Sequence, residues 1–369
     1  MTEVPGLDIA GLTRWLTRAH PALARGPLTA SVIAGGRSNL TYAVDGASVP
    51  LIVRRPPLGH VLSSAHDMRR EHRVISSLAD SPVPVPRAID VVDDTDAGEV
   101  TGTVFFAMER SAGRVLARRA QNADYSPAGL RRLSLGLVRH LADLHRVDPA
   151  AVGLADFGRP DGFLERQLRT WRRQLDASRS RELPALDRLQ ETLSHDIPAP
   201  ARAAIVHGDF RLDNALVVGD GDDPRVSAIL DWEMATLGDP LVDLGMFGLY
   251  WEIGDLQLPT SAAASAVSST VPSAVDLTAG YPAFAELADV YAEHAGIAVP
   301  DLGWYRAFAA YKLAVILEGI HYRFQAGDTV GEGFDSIGGL VDPLARAGLD
   351  SAGLDSAGLD SARHGQETH

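Results

Sequence analysis

Asp209 and Asn214 stand five residues apart in the stretch His207-Gly208-Asp209-Phe210-Arg211-Leu212-Asp213-Asn214, directly after the apolar run Ala204-Ile205-Val206. A strand that ends in a tight bend places such a pair on one side of a loop. The carboxylate is then able to orient an attacking hydroxyl, and the amide oxygen to bind a metal. Asp231 closes a second apolar run, Val226 to Leu230, and aims another carboxylate at the same cleft. Hard oxygen donors of this kind suit magnesium. In-line transfer of a phosphoryl group from a nucleotide asks for such ligands, for a base, for a cation on the phosphates and for a cover over them. The chain offers a candidate for every part.

The cation departs from the usual pattern, in which a strand lysine is held by a helix glutamate. Lys312 is the only lysine in the chain and lies far downstream. Arg54, in Val53-Arg54-Arg55-Pro56-Pro57, is the residue left to serve, because a guanidinium can bridge phosphate oxygens bidentately. Glu71, midway along the next helical segment, is its natural partner, with an ordinary surface ion pair as the alternative. Alternation along a strand turns Arg55 to the opposite face. The turn Gly35-Gly36-Arg37-Ser38-Asn39 offers the backbone N–H groups of Gly35, Gly36 and Ser38 as a phosphate cover, and equally fits a plain hairpin turn.

The loop His207 to Asn214, followed by Ile229-Leu230-Asp231-Trp232-Glu233 and Gly238-Asp239-Pro240-Leu241-Val242-Asp243-Leu244, resembles the aminoglycoside phosphotransferase (choline kinase-like) superfamily. Val53 to Pro57, Ala65-His66-Asp67-Met68 with Glu71, and Pro84-Val85-Pro86 are similar to a narrower group, the kinase-like domains fused to some acyl-CoA dehydrogenases. The likeness runs from about Gly26 to Gly339. It implies an α+β, bilobal protein kinase-like fold, with a small antiparallel β N-lobe carrying one helix and a larger, mainly helical C-lobe. It implies an ATP-dependent O-phosphotransferase in which Asp209 is the catalytic base and Asn214 and Asp231 hold Mg2+. His207 would brace the loop through hydrogen bonds to backbone, and Asp213 would face solvent or acceptor. Met108, Glu109 and Arg110 end the last N-lobe strand, where this fold meets adenine through backbone groups, which leaves GTP open beside ATP. In the narrower group the acceptors are hydroxyacyl-CoA thioesters. Phosphorylation of an aminoglycoside or macrolide is the alternative, and a nucleotide-binding pseudokinase module, suggested by Arg54, is the reading from a different class.

The elements that must position these groups are legible in outline. Short β-prone runs at Thr29–Ala34, Leu40–Val44, Leu51–Val53, Ala88–Val92 and Thr103–Met108 surround a helix that Ser63 or Ser64 would cap and that buries Met68, Val74, Ile75 and Leu78. Amphipathic segments follow at about 126–146, 161–177 and 183–193. Two strands flank the acidic turn 219–224, and helices resume to about 347. Asp239 reads as a helix N-cap beneath the loop. Trp251, Trp304, Tyr305, Tyr311 and Tyr322 have the spacing of a buried face, with an acceptor pocket as the alternative. The division expected is an N-lobe over 1–110, a C-lobe over 111–347, and a tail from 348 whose Gly-Leu-Asp-Ser-Ala repeat reads as frayed.

Composition sets the limits. A chain of 369 residues with 46% hydrophobic content supports two lobes around a core. The absence of cysteine excludes disulfides, thiolate zinc sites and thiol catalysis. A net charge of −14 without a basic block disfavours nucleic acid, so the expected partner is a small molecule bearing a hydroxyl. With neither a signal-peptide pattern nor a run long enough to span a bilayer, the expected location is cytoplasmic.

Overall fold

The computed structural model of the chain describes residues 4–33, 39–58, 67–256, 271, 273–327 and 337–353. Five strands, β1 (Thr29–Val32), β2 (Leu40–Asp45), β3 (Leu51–Arg55), β4 (Ala88–Asp93) and β5 (Val104–Glu109), form an antiparallel sheet in the order β1-β2-β3-β5-β4. Two helices cover it, one on each face. Leu51 and Val53 of β3 join Leu12, Trp15 and Leu16 of α1 (Ile9–Ala19) in one apolar cluster, whereas Ile52 joins Met68, Val74 and Ile75 of α2 (Met68–Ser77) in the other. The side-chain period of two therefore turns Arg54 toward α2 and Arg55 toward α1. Arg55 is used up there, donating to the carbonyls of Gly6 at 2.9 Å and Thr101 at 3.0 Å.

The small lobe thus carries two helices where one was expected. Asp8 starts α1 by accepting from the N–H groups of Ala10 and Gly11 at 2.8 and 3.1 Å. Asp67 does the same for α2 through Arg69 and Arg70, in the role assigned to Ser63 or Ser64, which lie outside the described residues.

The second lobe is built from α3 (Pro127–Arg146), α4 (Phe163–Ser178), α5 (Pro184–His195), α6 (Leu241–Glu252), α7 (Phe284–Ala295), α8 (Gly303–Gln325) and α9 (Val341–Ser351). Two small sheets sit at its top. One joins β6 (Arg114–Val115), β8 (Ala215–Val218) and β9 (Arg225–Ile229), and the other pairs β7 (Ala204–Val206) with β10 (Thr236–Gly238). Helices α6 and α8 are buried around most of their circumference, which fits their lack of a polar stripe. α9 packs on α5 and α8 and runs to Ser351, so the start of the Gly-Leu-Asp-Ser-Ala repeat is helical and Leu349 is buried. Contact with α5 and α8 supplies the order that five-residue spacing alone does not. Residues 354–369 lie outside the described residues.

Candidate active site

The bend after β7 is set by Gly208, whose φ is +87° and where an added Cβ would stand 2.8 Å from the Cβ of Met234. Only glycine reaches that conformation without strain. Asp209 follows, and Asn214 Nδ2 donates both to its carboxylate oxygen Oδ2 at 2.9 Å and to its backbone carbonyl at 2.8 Å. The amide nitrogen of Asn214 is thereby committed to Asp209, which leaves the amide oxygen as the donor available to a cation.

The turn that carries Asp231 is tied to this loop through Leu230. Its N–H donates to the Asn214 carbonyl at 2.7 Å, and its carbonyl accepts from His207 Nε2 at 3.0 Å. His207 Nδ1 accepts from the Asp209 N–H at 3.2 Å, so its two partners select the neutral Nε2–H tautomer. His207 braces the loop through these two hydrogen bonds. Asp231 has a φ of +66° and is the only non-glycine with positive φ among the described residues. Backbone held in a sparsely populated region collects at functional sites, and aspartate tolerates this one better than most side chains.

Arg54 reaches from β3 to both sides of the cleft. Its Nε lies 3.3 Å from Glu71 Oε1 and its Nη2 lies 3.5 Å from Asp231 Oδ1. Burial pushes the Glu71 carboxyl up to about 7, with Arg54 opposing the rise and Asp231 and Glu233 adding to it. Three carboxylates share one guanidinium. Arg54 Nε and Glu71 Oε2 are buried without a hydrogen-bond partner, as is Asn39 Oδ1. Asn39 Nδ2 meanwhile donates to Glu233 Oε2 at 2.9 Å, joining the end of the glycine-rich turn to the Asp231 segment. Gly35, Gly36 and Ser38 lie outside the described residues. Met108 is buried in the sheet. The N–H groups of Glu109 and Arg110 are spent on the carbonyls of Arg87 and Pro50, and their side chains pair with Arg87 and Asp45. Neither N–H is open to a base.

On the other flank of Asp209 the Arg211 guanidinium lies over the Tyr250 ring at 4.6 Å, contacts Asp213 Oδ2 at 2.6 Å and approaches Asp209 Oδ2 at 3.8 Å. Asp213 is therefore paired and mostly buried, and burial raises its carboxyl to about 6. Arg211 and Asp213 line a small cavity with Leu116, Phe247, Tyr250 and Trp251. Tyr305 and Tyr311 are core, and Tyr322 is exposed.

Two charged residues that the sequence reading named without a role hold the loop from below. Asp243, fully buried on α6, accepts from the N–H groups of His207 at 2.6 Å and Gly208 at 2.8 Å, and from His145 Nε2 at 3.2 Å. Burial alone would raise its carboxyl, and the hydrogen bond and charge from His145 with the hydrogen bond from the His207 N–H outweigh it and hold it below the usual range. Asp239 caps the start of α6 as expected, accepting from the Leu241 N–H and also from the Tyr305 hydroxyl, while the hydrogen bonds to the loop itself come from Asp243. The second residue is Lys312 on α8, which donates to the Gly208 carbonyl at 2.5 Å. A buried polar position inside an otherwise apolar helix is the signal each of them leaves.

The sequence profile of the phosphotransferase enzyme family matches residues 29–287. Acyl-CoA dehydrogenase family member 11 of Gallus gallus is 31% identical over 350 residues, covering 93% of this chain and 43% of that protein. Family member 10 of Mus musculus is 30% identical over 336 residues, covering 88% and 29%. The chain thus spans less than half the length of these relatives. Among solved structures, a protein of Ralstonia eutropha JMP134 described as an aminoglycoside phosphotransferase superposes with a TM-score of 0.75 at 29% identity, over 94% of this chain and 98% of that one. The GDP complex of aminoglycoside 2′-phosphotransferase-IIIa shares the fold at a TM-score of 0.58 and 14% identity, over 92% and 98%. Among the described residues no helix is long and apolar enough to cross a membrane. The two-lobed architecture and a profile that spans most of the folded chain agree, and the chain belongs to the phosphotransferase enzyme family.

Proposed function

We propose that the chain transfers the γ-phosphoryl group of ATP to the hydroxyl of a small molecule in a magnesium-dependent reaction, and that the acceptor is a hydroxyacyl-CoA thioester. The observation that carries this reading is the convergence of Asp209, Asn214 and Asp231 on one cleft, with Arg54 in contact with both Glu71 and Asp231.

The residues fit the groups they would hold. One carboxylate and one amide oxygen make an open, hard donor set, and among the described residues there is no closed cluster of acidic or histidine ligands. That suits an ion which keeps waters and phosphate oxygens in its shell. Arg54, buried and ion-paired with Glu71 but with no hydrogen bond at its Nε, is a cation held ready beside the cleft. Magnesium supplies charge neutralisation on the phosphates when bound. Arg54 orients the phosphate oxygens, Glu71 holds Arg54, and Asp209, fixed by Asn214, orients the acceptor hydroxyl and receives its proton.

On the acceptor side, Arg211 stands beside Asp209 and the neighbouring wall is apolar at Leu116, Phe247 and Trp251. An apolar wall suits an acyl group better than a polycationic antibiotic, which asks for a dense set of unpaired carboxylates, and Asp213 is already paired with Arg211. The relatives named as acyl-CoA dehydrogenases support the same choice.

The test is incubation with Mg·ATP and a panel of hydroxyacyl-CoAs, aminoglycosides and macrolides, with phosphorylated product read by mass. Turnover of a hydroxyacyl-CoA, lost by about 10²- to 10⁴-fold in Asp209→Asn with nucleotide binding retained, is the expected result. Turnover that survives Asp209→Asn removes Asp209 as the base. Antibiotic turnover alone replaces the acceptor class, and nucleotide binding with no acceptor consumed favours a binding module.

A further inference from the structure

Gly208 is held from two sides by opposite charges. Its N–H donates to Asp243 Oδ1 at 2.8 Å and its carbonyl accepts from Lys312 Nζ at 2.5 Å. These groups come from α6 and α8, which pack against each other beneath the loop. The Asp209 N–H, at the other end of the same peptide unit as the Gly208 carbonyl, is taken by His207. Both peptide planes flanking Gly208 are thus pinned. Glycine has no Cβ to limit its own backbone angles, so whatever fixes these planes fixes the direction in which Asp209 leaves the bend.

Lys312 is a costly way to build such a contact. It is 6% exposed, and among the described residues no carboxylate is in ion-pair contact with its ammonium. The ring of Trp171 faces it, with the centroid 5.4 Å from Nζ. An apolar side chain of similar volume would fill the space without burying a charge. The chain makes its positive charge from arginine everywhere else, Lys312 being the single lysine among 34 basic residues. Burial pulls the ammonium below its usual range, and the carboxylates of Asp209 and Asp243 oppose that pull, so the charge sits within the field of both.

We propose that Lys312 is a positioning residue of the catalytic loop, clamping the Gly208 peptide together with Asp243 and so fixing Asp209 toward the acceptor. The inference rests on reading Asp209 as the base, and its first test needs no acceptor. Lys312→Met keeps the length of the side chain and removes the ammonium. Hydrogen exchange of the full-length, ligand-free protein should show the amides of Gly208 and Asp209 exchanging about 10-fold faster, with those of α6 and α8 unchanged and protection regained in Lys312→Arg. Unchanged exchange in the loop, or faster exchange spread through α8, overturns the proposal, the second result marking Lys312 as packing alone. If Lys312→Met does not fold, Lys312→Arg carries the test: protection like that of the wild type sustains the proposal, and its loss overturns it.

The second test uses Mg·ATP and whichever acceptor the panel identifies. Lys312→Met should lose about 10²-fold in kcat at an unchanged KM for ATP, with part of the loss recovered in Lys312→Arg. A wild-type kcat in Lys312→Met, or a loss that Lys312→Arg leaves in place, overturns the proposal. Failure of the acceptor class leaves the exchange result standing, so the two readings fail separately.

Discussion

Glu71 is itself buried and shares a single guanidinium with Asp231 and Glu233, and its proton affinity follows from that burial and that competition. Its carboxyl stands at about 7, against an ordinary 4.5. Between those values the folded chain binds the proton more tightly than the unfolded chain does, so stability falls as pH rises through that window and levels off above it. Urea midpoints compared at about pH 5 and pH 8 should show a loss on the order of 2 kcal/mol at the higher pH, largely absent in Glu71→Gln. An equal pH dependence in both proteins would assign the titration to another group. Asp209, Asn214 and Asp231 were legible in the sequence because one loop and one strand end carry them. Arg54 and Glu71 were legible because a strand and the following helix make a standard pairing. Lys312 was not, since its place inside an apolar helix marks it as unusual but its partner lies across a separation of 104 residues that only the packing of α8 closes.

Elements turn these residues into a site by committing the backbone around them. An alanine at Gly208 would need a backbone angle of +87° and would press a methyl group to 2.8 Å from both the Cβ and the carbonyl oxygen of Met234. Gly208→Ala should therefore cost about 3 kcal/mol in chemical denaturation and abolish turnover together. Asp243→Ala leaves two loop amides and His145 without their acceptor. A destabilisation of about 3 kcal/mol is expected, and near-wild-type denaturation would mean that the loop is held by its other contacts. Helix α6 was recognisable as apolar, but nothing in its local pattern tells that Asp243, and not Asp239, faces the bend. That choice is made by the packing of α6 beneath β7.

Across the whole molecule, the α2 face of the small lobe is continuous with the large lobe in one apolar cluster, the polar contacts of Arg54 with Asp231 and Asn39 with Glu233 cross the cleft, and the α1 face keeps a separate apolar cluster. α1 was missed because it precedes the strands that carry the chemistry, although Asp8 and the apolar residues Leu12, Trp15 and Leu16 are an adequate signal. The end of α9, from Gly348 on, was read as frayed because five-residue spacing does not match a helix, and its contacts with α5 and α8 override that mismatch. Leu349→Ala should lower stability by about 3 kcal/mol, read as a fall in the thermal midpoint. No change there would mean that α9 is a passive attachment.

The left-handed backbone at Asp231 has a consequence for how this chain can change over generations. Glycine and asparagine are the residues that accept such a conformation most readily, and each is a single base substitution away from an aspartate codon. Either would leave the turn undisturbed while removing the carboxylate proposed to hold the metal. At this position the shape of the chain and its chemistry are separately inherited, so a descendant can lose turnover while keeping the architecture intact.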